Sequence, residues 1–252
     1  MDSTIDRRPV DRDESGGRDL FRECTPGTKK NALKPWLQQR WCLGKITGEY
    51  LWHREDILDQ YARPYDPRQP LLCYDERPCQ LLGAVLVPLP MEPEQPRRVD
   101  YEYERHGTCC VLLAFEPQTG FRYVQVRAQR TAVDYAHFLQ DLVQRHYPHV
   151  ERVQLVQDNL NTHTPGSFYH AWAPAKAFAF AHRFELHYTP KKGSWLNMAE
   201  IEFAAVAKQC LDRRIADQAR LEREVLAWAR RRNQAHKTVN WTFTQTIARE
   251  NG

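Results

Sequence analysis

Leu71-Leu72-Cys73-Tyr74-Asp75 is apolar on both faces of an extended chain and closes on a carboxylate. A strand without a polar face is covered on both sides, so this stretch predicts a central strand between layers of helices. Val153-Gln154-Leu155-Val156-Gln157-Asp158 repeats the pattern and ends the same way. If the two strands are parallel neighbours, Asp75 and Asp158 stand side by side at their ends.

Working outward, Cys109–Phe115 and Phe121–Val126 flank Glu116-Pro117-Gln118-Thr119-Gly120, a hairpin signal. Helical spacing of Tyr135, Phe138, Leu139, Leu142 and Val143 predicts a helix over 132–147, and further helices are expected at 165–181, 198–213 and 218–236. Phe184–Tyr188 reads as a short strand. Ahead of the first strand, residues 47–61 predict a helix capped by Thr47, burying Tyr50, Leu51, Ile57, Leu58 and Tyr61. Prolines at 88, 90, 93 and 96 exclude a central strand there, so 81–108 reads as a surface excursion. An antiparallel pair followed by strand–helix–strand alternation gives an α/β fold: a mixed sheet flanked by helices, an order compatible with the ribonuclease-H-like fold.

Composition sets looser bounds. A chain of 252 residues at net charge +4 is long enough for a sizeable core, and permits an anionic partner without demanding one. No apolar stretch approaches a membrane span. The seven cysteines form no CxxC pair and no zinc-like spacing, which fits reduced thiols in a cytoplasmic protein. Residues 1–30 hold seven acidic and seven basic side chains with no apolar period, and are expected to be poorly ordered. Residues 31–70 are expected to form a linker and helix leading into the main domain at 71–252.

A third carboxylate comes from Lys191-Lys192-Gly193-Ser194-Trp195-Leu196-Asn197-Met198-Ala199-Glu200-Ile201-Glu202, a basic loop entering a helix. Three carboxylates suffice to hold Mg2+, which takes oxygen ligands and keeps waters. Asp75 and Glu76 point to opposite faces of a strand. Glu200 and Glu202 lie about 200° apart on a helix, so one of them faces away. The set chosen is Asp75, Asp158 and Glu200. A structural competitor exists for the last: with Asn197 as N-cap, Glu200 at N3 reaches back to the cap amide, with Leu196 and Ile201 as a staple.

Several stretches together resemble the mariner-like superfamily of bacterial insertion-sequence transposases, in the six-thirty group. These are Leu33-Lys34-Pro35-Trp36, Arg63-Pro64-Tyr65-Asp66-Pro67, Tyr74-Asp75-Glu76-Arg77-Pro78, Tyr101-Glu102-Tyr103-Glu104-Arg105, Asp158-Asn159-Leu160-Asn161-Thr162-His163, His187-Tyr188-Thr189-Pro190 and Gly193–Glu202. The likeness covers roughly residues 32 to 245. It implies a ribonuclease-H-like domain whose DDE triad falls on Asp75, Asp158 and Glu200 and binds two Mg2+ or Mn2+ ions. It also implies cleavage at element ends, transfer of the freed 3′ hydroxyl into target DNA at a TA step, and a homodimer. The interval from Asp158 to Glu200 is longer than is usual in the wider superfamily, but the Leu196-Asn197 pair before Glu200 keeps the assignment.

His163 matches a histidine of the family motif, with two roles open: orienting its loop or contacting DNA. Lys191, Lys192, Arg213, Arg214 and Arg230–Arg232 are candidate phosphate contacts, although basic helix ends also suit the helix dipole. Relatives carry a helix-turn-helix DNA-binding region ahead of the catalytic domain, and residues 1–30 show no such helices. The expectation is therefore a catalytic subunit working with a separately encoded DNA-binding part. The alternatives are a metal-dependent nuclease that does not transpose, or a non-catalytic remnant that regulates transposition by binding DNA or full-length transposase.

Overall fold

The computed structural model describes residues 46–96 and 98–250, which lie in one compact unit running from Lys45 onward. The expectation for residues 1–30 lies outside the described residues. Five strands form one sheet in the order β3-β2-β1-β4-β5. They are β1 (Leu71–Ala84), β2 (Tyr103–Glu116), β3 (Phe121–Arg127), β4 (Val153–Gln157) and β5 (Phe184–Tyr188). The first three are antiparallel neighbours, while β4 runs parallel to both β1 and β5. This is the ribonuclease-H-like order expected from the sequence.

Seven helices complete the described chain: α1 (Gly48–Ala62), α2 (Ala132–His146), α3 (Gly166–Ala171), α4 (Pro174–Ala181), α5 (Ala199–Gln209), α6 (Gln218–Gln234) and α7 (Gln245–Glu250). No helix among the described residues is long and apolar enough to cross a membrane. Alternation along the strands separates two cores. Leu72, Tyr74, Leu112, Ala114 and Leu155 face Tyr135, Phe138, Leu139 and Leu142 of α2. Leu71, Cys73, Leu113, Phe115 and Val156 face Phe203 and Val206 of α5 and Val225 and Trp228 of α6. Each fully buried aliphatic side chain contributes about 1.5–3 kcal/mol. Leu113 is wholly buried at the centre of the sheet, so Leu113→Ala should cost about 2–5 kcal/mol in urea unfolding.

The structure departs from expectation at five places. Strand β1 does not stop at Asp75 but continues to Ala84, in register with β2 down to Tyr103. The expected excursion thus shrinks to 85–102, where the four prolines lie and where Leu89–Arg98 and Glu92–Gln95 are isolated bridges. Pro78 is tolerated inside β1 because pairing with β4 ends at Cys73, leaving that edge open. A register shift between Leu81 and Leu82 is taken up opposite Gly107, whose φ of 110° suits glycine.

The helix expected at 165–181 is two, because Pro174 holds Ala173 in an extended conformation and starts α4 itself. α1 buries Ile57 and Leu58 as expected, but Leu51 is 37 % exposed: the helix docks through its C-terminal half. α5 ends at Gln209 rather than 213, closed by Cys210 and Leu211, whose N–H groups both donate to Val206 O. Finally, the first turn of α5 is entered through a short 3-10 turn, Ser194–Leu196, with consequences for Glu200.

Candidate active site

Asp75 lies two residues beyond the last β1–β4 pair, Cys73 with Val156, and Asp158 lies immediately after β4. The end of β4 therefore decides the placement of both: it frees Asp158 and uncovers the edge of β1 at Asp75. Asp75 shares its face of β1 with Cys73, the face covered by α5.

α5 is fixed to this point by Asn197. Its Nδ2 donates to Tyr74 O at 2.8 Å, and its Oδ1 accepts from Ala199 N at 3.1 Å. One buried side chain thus ties the residue before Asp75 to the start of the helix that carries Glu200. Tyr61 reinforces the same turn by donating from Oη to Leu196 O at 2.7 Å. Removing the Asn197 side chain leaves the Tyr74 carbonyl and the Ala199 amide without these partners. Asn197→Ala should therefore cost about 1–3 kcal/mol, read from chemical denaturation.

The expected capping box does not form. The N–H of Asn197 goes to Ser194 O at 2.8 Å, so it is not offered to Glu200. The staple is missing too, because Leu196 is buried while Ile201 is 40 % exposed. Glu200 is exposed. Its neighbour Glu202 is the carboxylate that faces away: fully buried, it accepts from Arg122 and Arg232.

Glu200 and Asp158 act on Asp75 through their charge. Burial, with the charges of Glu200 and Asp158 acting in the same direction, pushes the Asp75 carboxyl up to about 7. The Glu76 backbone N–H, donating to Asp75 Oδ1 at 2.7 Å, and the charge of His163 oppose the shift. Both charges act on Asp75 from other elements, Asp158 from the end of β4 and Glu200 from α5.

His163 is wholly buried, five residues past Asp158, against the rings of Tyr74 and Tyr135. Its Nδ1 hydrogen-bonds Asp158 Oδ1, and Nε2 lies 3.6 Å from Glu76 Oε2. Burial disfavours the charged ring, but the bond to Asp158 and the nearby Glu76 carboxylate outweigh it and raise the histidine to about 9. Of its two roles, holding Asp158 is the one its surroundings serve: a side chain without surface does not reach DNA. The loop is closed beneath it by Gln157, which accepts from Tyr135 Oη at 2.8 Å and donates to His163 O at 2.7 Å.

The basic candidates divide. Lys191 and Lys192 are exposed on the turn before the 3-10 helix, with Lys192 in the left-handed region at φ 67°. Arg213 is paired with Glu224, and Arg214 donates to Glu102 O and Tyr101 O while lying over the Tyr103 ring. Arg232 is taken by Glu202, whereas Arg230 and Arg231 are exposed.

Among the described residues, no three His, Cys, Asp or Glu side chains stand grouped as a ready metal cage. The donor set nevertheless suits Mg2+ or Mn2+: oxygen ligands only, partly exposed, and mutually repelling until a cation is present. Asp158 keeps one oxygen outside its bond to His163, and Asp75 keeps one outside its bond to Glu76.

The sheet is ribonuclease-H-like, with Asp75 inside β1 just past its last pairing with β4, and Asp158 immediately after β4. Residues 70–222 match the family model of the DDE superfamily endonuclease, and the chain belongs to that family. Among solved structures it is similar to the Mos1 mariner paired end complex with Mn, at 14 % identity and TM-score 0.51, over 79 % of this chain and 61 % of that one. The catalytic domain of Mos1 mariner transposase aligns at 14 % identity and TM-score 0.49, over 75 % of this chain and 85 % of that one. The chain therefore spans less than two thirds of the Mos1 chain in the paired end complex. No curated protein matches it in sequence.

Proposed function

We propose that this chain is the catalytic part of a DNA transposase, with Asp75, Asp158 and Glu200 as the metal-binding triad. It cuts phosphodiesters at the ends of a mobile element and joins the freed 3′ hydroxyl to target DNA. The observation that carries the reading is geometric: Asp75 and Asp158 lie where the pairing of β4 with β1 ends, and Asn197 ties the start of the Glu200 helix to Tyr74 O beside Asp75. Two divalent ions held by Asp75, Asp158 and Glu200 would supply charge for an in-line displacement and would activate water near neutral pH.

The chain's own residues account for the rest. Asp75 would give up its proton on taking up a cation. His163 keeps Asp158 from rotating, as an outer hydrogen bond does for metal-bound carboxylates. Asn197 holds the helix of Glu200 against β1. Lys191 and Lys192 meet the phosphates that approach the acids. Exchanging both lysines for alanine should weaken DNA binding alike for all sequences, and lower the slope of log affinity against log salt by about 2. Choice of element ends belongs to a helix-turn-helix part on another segment or chain. The target is expected at TA steps, and the active species is a homodimer that holds two ends.

The test is Mn2+-dependent nicking of supercoiled plasmid, with strand transfer of pre-cut element-end DNA, by the wild type beside Asp158→Ala. Activity present in the first and absent in the second supports the reading. Wild-type silence, alone and fused to a helix-turn-helix region, favours the non-catalytic remnant.

A further inference from the structure

We infer that Glu202, Arg122 and Arg232 form a positioning cluster that fixes the rotation of α5 and so aims Glu200 at Asp75. The inference rests on reading Asp75, Asp158 and Glu200 as one metal site.

Glu202 is in the first turn of α5, two residues past Glu200, and its side chain is wholly buried. Both of its oxygens are taken twice. Arg122 donates from Nε to Oε2 at 2.5 Å and from Nη2 to Oε1 at 2.8 Å. Arg232 repeats the arrangement, from Nε to Oε2 at 3.0 Å and from Nη2 to Oε1 at 2.9 Å. Two planar forks on one carboxylate permit a single orientation of that side chain.

The forks are themselves anchored. The remaining donors of Arg122 reach Gly120 O and Lys237 O, each at 2.5 Å, and its guanidinium lies 4.5 Å from the centre of the Phe115 ring. Asn233, one residue past Arg232 on α6, clasps both backbone groups of Arg122, at 2.9 and 2.8 Å. Gly120, at φ 74°, has the chain at His236 and Lys237 so near that a Cβ there would meet backbone at 2.9 Å. β3 and α6 thus hold the arginines in one rigid corner.

A helix advances 100° per residue, so fixing Glu202 on one side sets Glu200 about 200° away, on the opposite side. Asn197 and Arg77, which donates to Phe203 O at 3.3 Å, hold the same helix against β1. Those two contacts set its distance from Asp75, and the glutamate sets its turn. A buried ion cluster contributes little net stability over apolar packing of similar shape. Orientation is what the charges add here.

The experiment is Mn2+ binding by isothermal titration at pH 8 to the full chain, well below each variant's melting temperature. The set is wild type, Glu202→Gln, Arg232→Met and Asp75→Asn. Glu202→Gln should weaken Mn2+ binding about tenfold, as loss of an outer-shell support does, and Arg232→Met should weaken it about threefold. Asp75→Asn should lose the binding. A merely structural role for the cluster would lower the melting temperature and leave the affinity of the folded protein unchanged. Wild-type Mn2+ affinity in both cluster variants, with binding lost in Asp75→Asn, overturns the positioning role and leaves the metal site standing. Absence of Mn2+ binding in the wild type overturns both. If Glu202→Gln does not fold, Arg232→Met decides, because that arginine is partly exposed and removes only the second fork.

Discussion

Asp158→Ala abolishes Mn2+-dependent nicking, with a loss of at least about a thousandfold, while the chain remains folded. The size of the loss follows from the role: a group that helps hold the ions is not an additive contributor, and removing one member of a unit costs nearly as much as removing all of it. The chain stays folded because Asp158 is partly exposed after the end of β4, outside the apolar layers. The side effect is local. His163 loses its Nδ1 partner, and Nε2 is already without a hydrogen bond, so a buried ring is left unsupported. Glu200→Gln is therefore the cleaner companion, because Glu200 is exposed and leaves nothing stranded. Gel assays of plasmid nicking and a thermal melt on each variant, read together, check both statements.

Asp75→Asn makes the metal-free protein more stable at alkaline pH. In the folded chain the Asp75 carboxyl sits near 7, against an ordinary value of 3.8. A folded-state value above the unfolded one means that the native state holds its proton more tightly. The associated stability is complete below about pH 4 and is lost as the pH rises through 7. Above that, the native state carries an ionised carboxylate in a place that disfavours it. A shift of this size corresponds to about 2–4 kcal/mol once solvent screening is allowed for.

Asparagine keeps an oxygen to accept from the Glu76 N–H but carries no charge, so the cost disappears. Urea unfolding with chelator present should show the variant more stable than wild type by about 2–4 kcal/mol at pH 8, and by little at pH 4. His163 runs the other way. Raised to about 9 from 6.5, it contributes stability that is complete below 6.5 and is lost as the pH rises through 9. It is present in both proteins, so the difference between them isolates Asp75. Adding Mn2+ reverses the order at pH 8, since only the wild type then gains from binding.

The contrast between what the sequence made legible and what it hid follows from interaction range. Apolar runs such as Leu71–Tyr74 and Val153–Val156 declare buried strands through their own composition, and Pro117 with Gly120 declares the hairpin. Helix geometry required only that one of Glu200 and Glu202 face away, the motif pointed to Glu200 as the ligand, and Glu202 is the buried one.

Where β1 ends was not legible. A strand's length is set by its partner, and the β2 residues that carry it on to Ala84 lie far along the chain. The capping box at Asn197 was a sound local pattern that the 3-10 turn before it displaced, because the Asn197 N–H goes to Ser194 O, while the side chain reaches Tyr74 O, 123 positions away in sequence. Arg122 gave no signal either, since its partner Glu202 is 80 positions on and nothing near it in sequence marks it as buried. His163 was singled out from its motif, but only packing against Tyr74 and Tyr135 separates holding Asp158 from touching DNA.

The most direct measurement of whether Asp75, Asp158 and Glu200 surround one metal site is metal-directed backbone cleavage. Fe2+ replaces Mg2+, ascorbate and peroxide generate radicals at the bound ion, and mass spectrometry maps the cuts. Cuts should appear together near residues 75, 158 and 200, in segments far apart in sequence, and all three should fade in parallel as Mg2+ is added. Cuts confined to one of these segments, or clustered elsewhere and indifferent to Mg2+, would contradict a shared site.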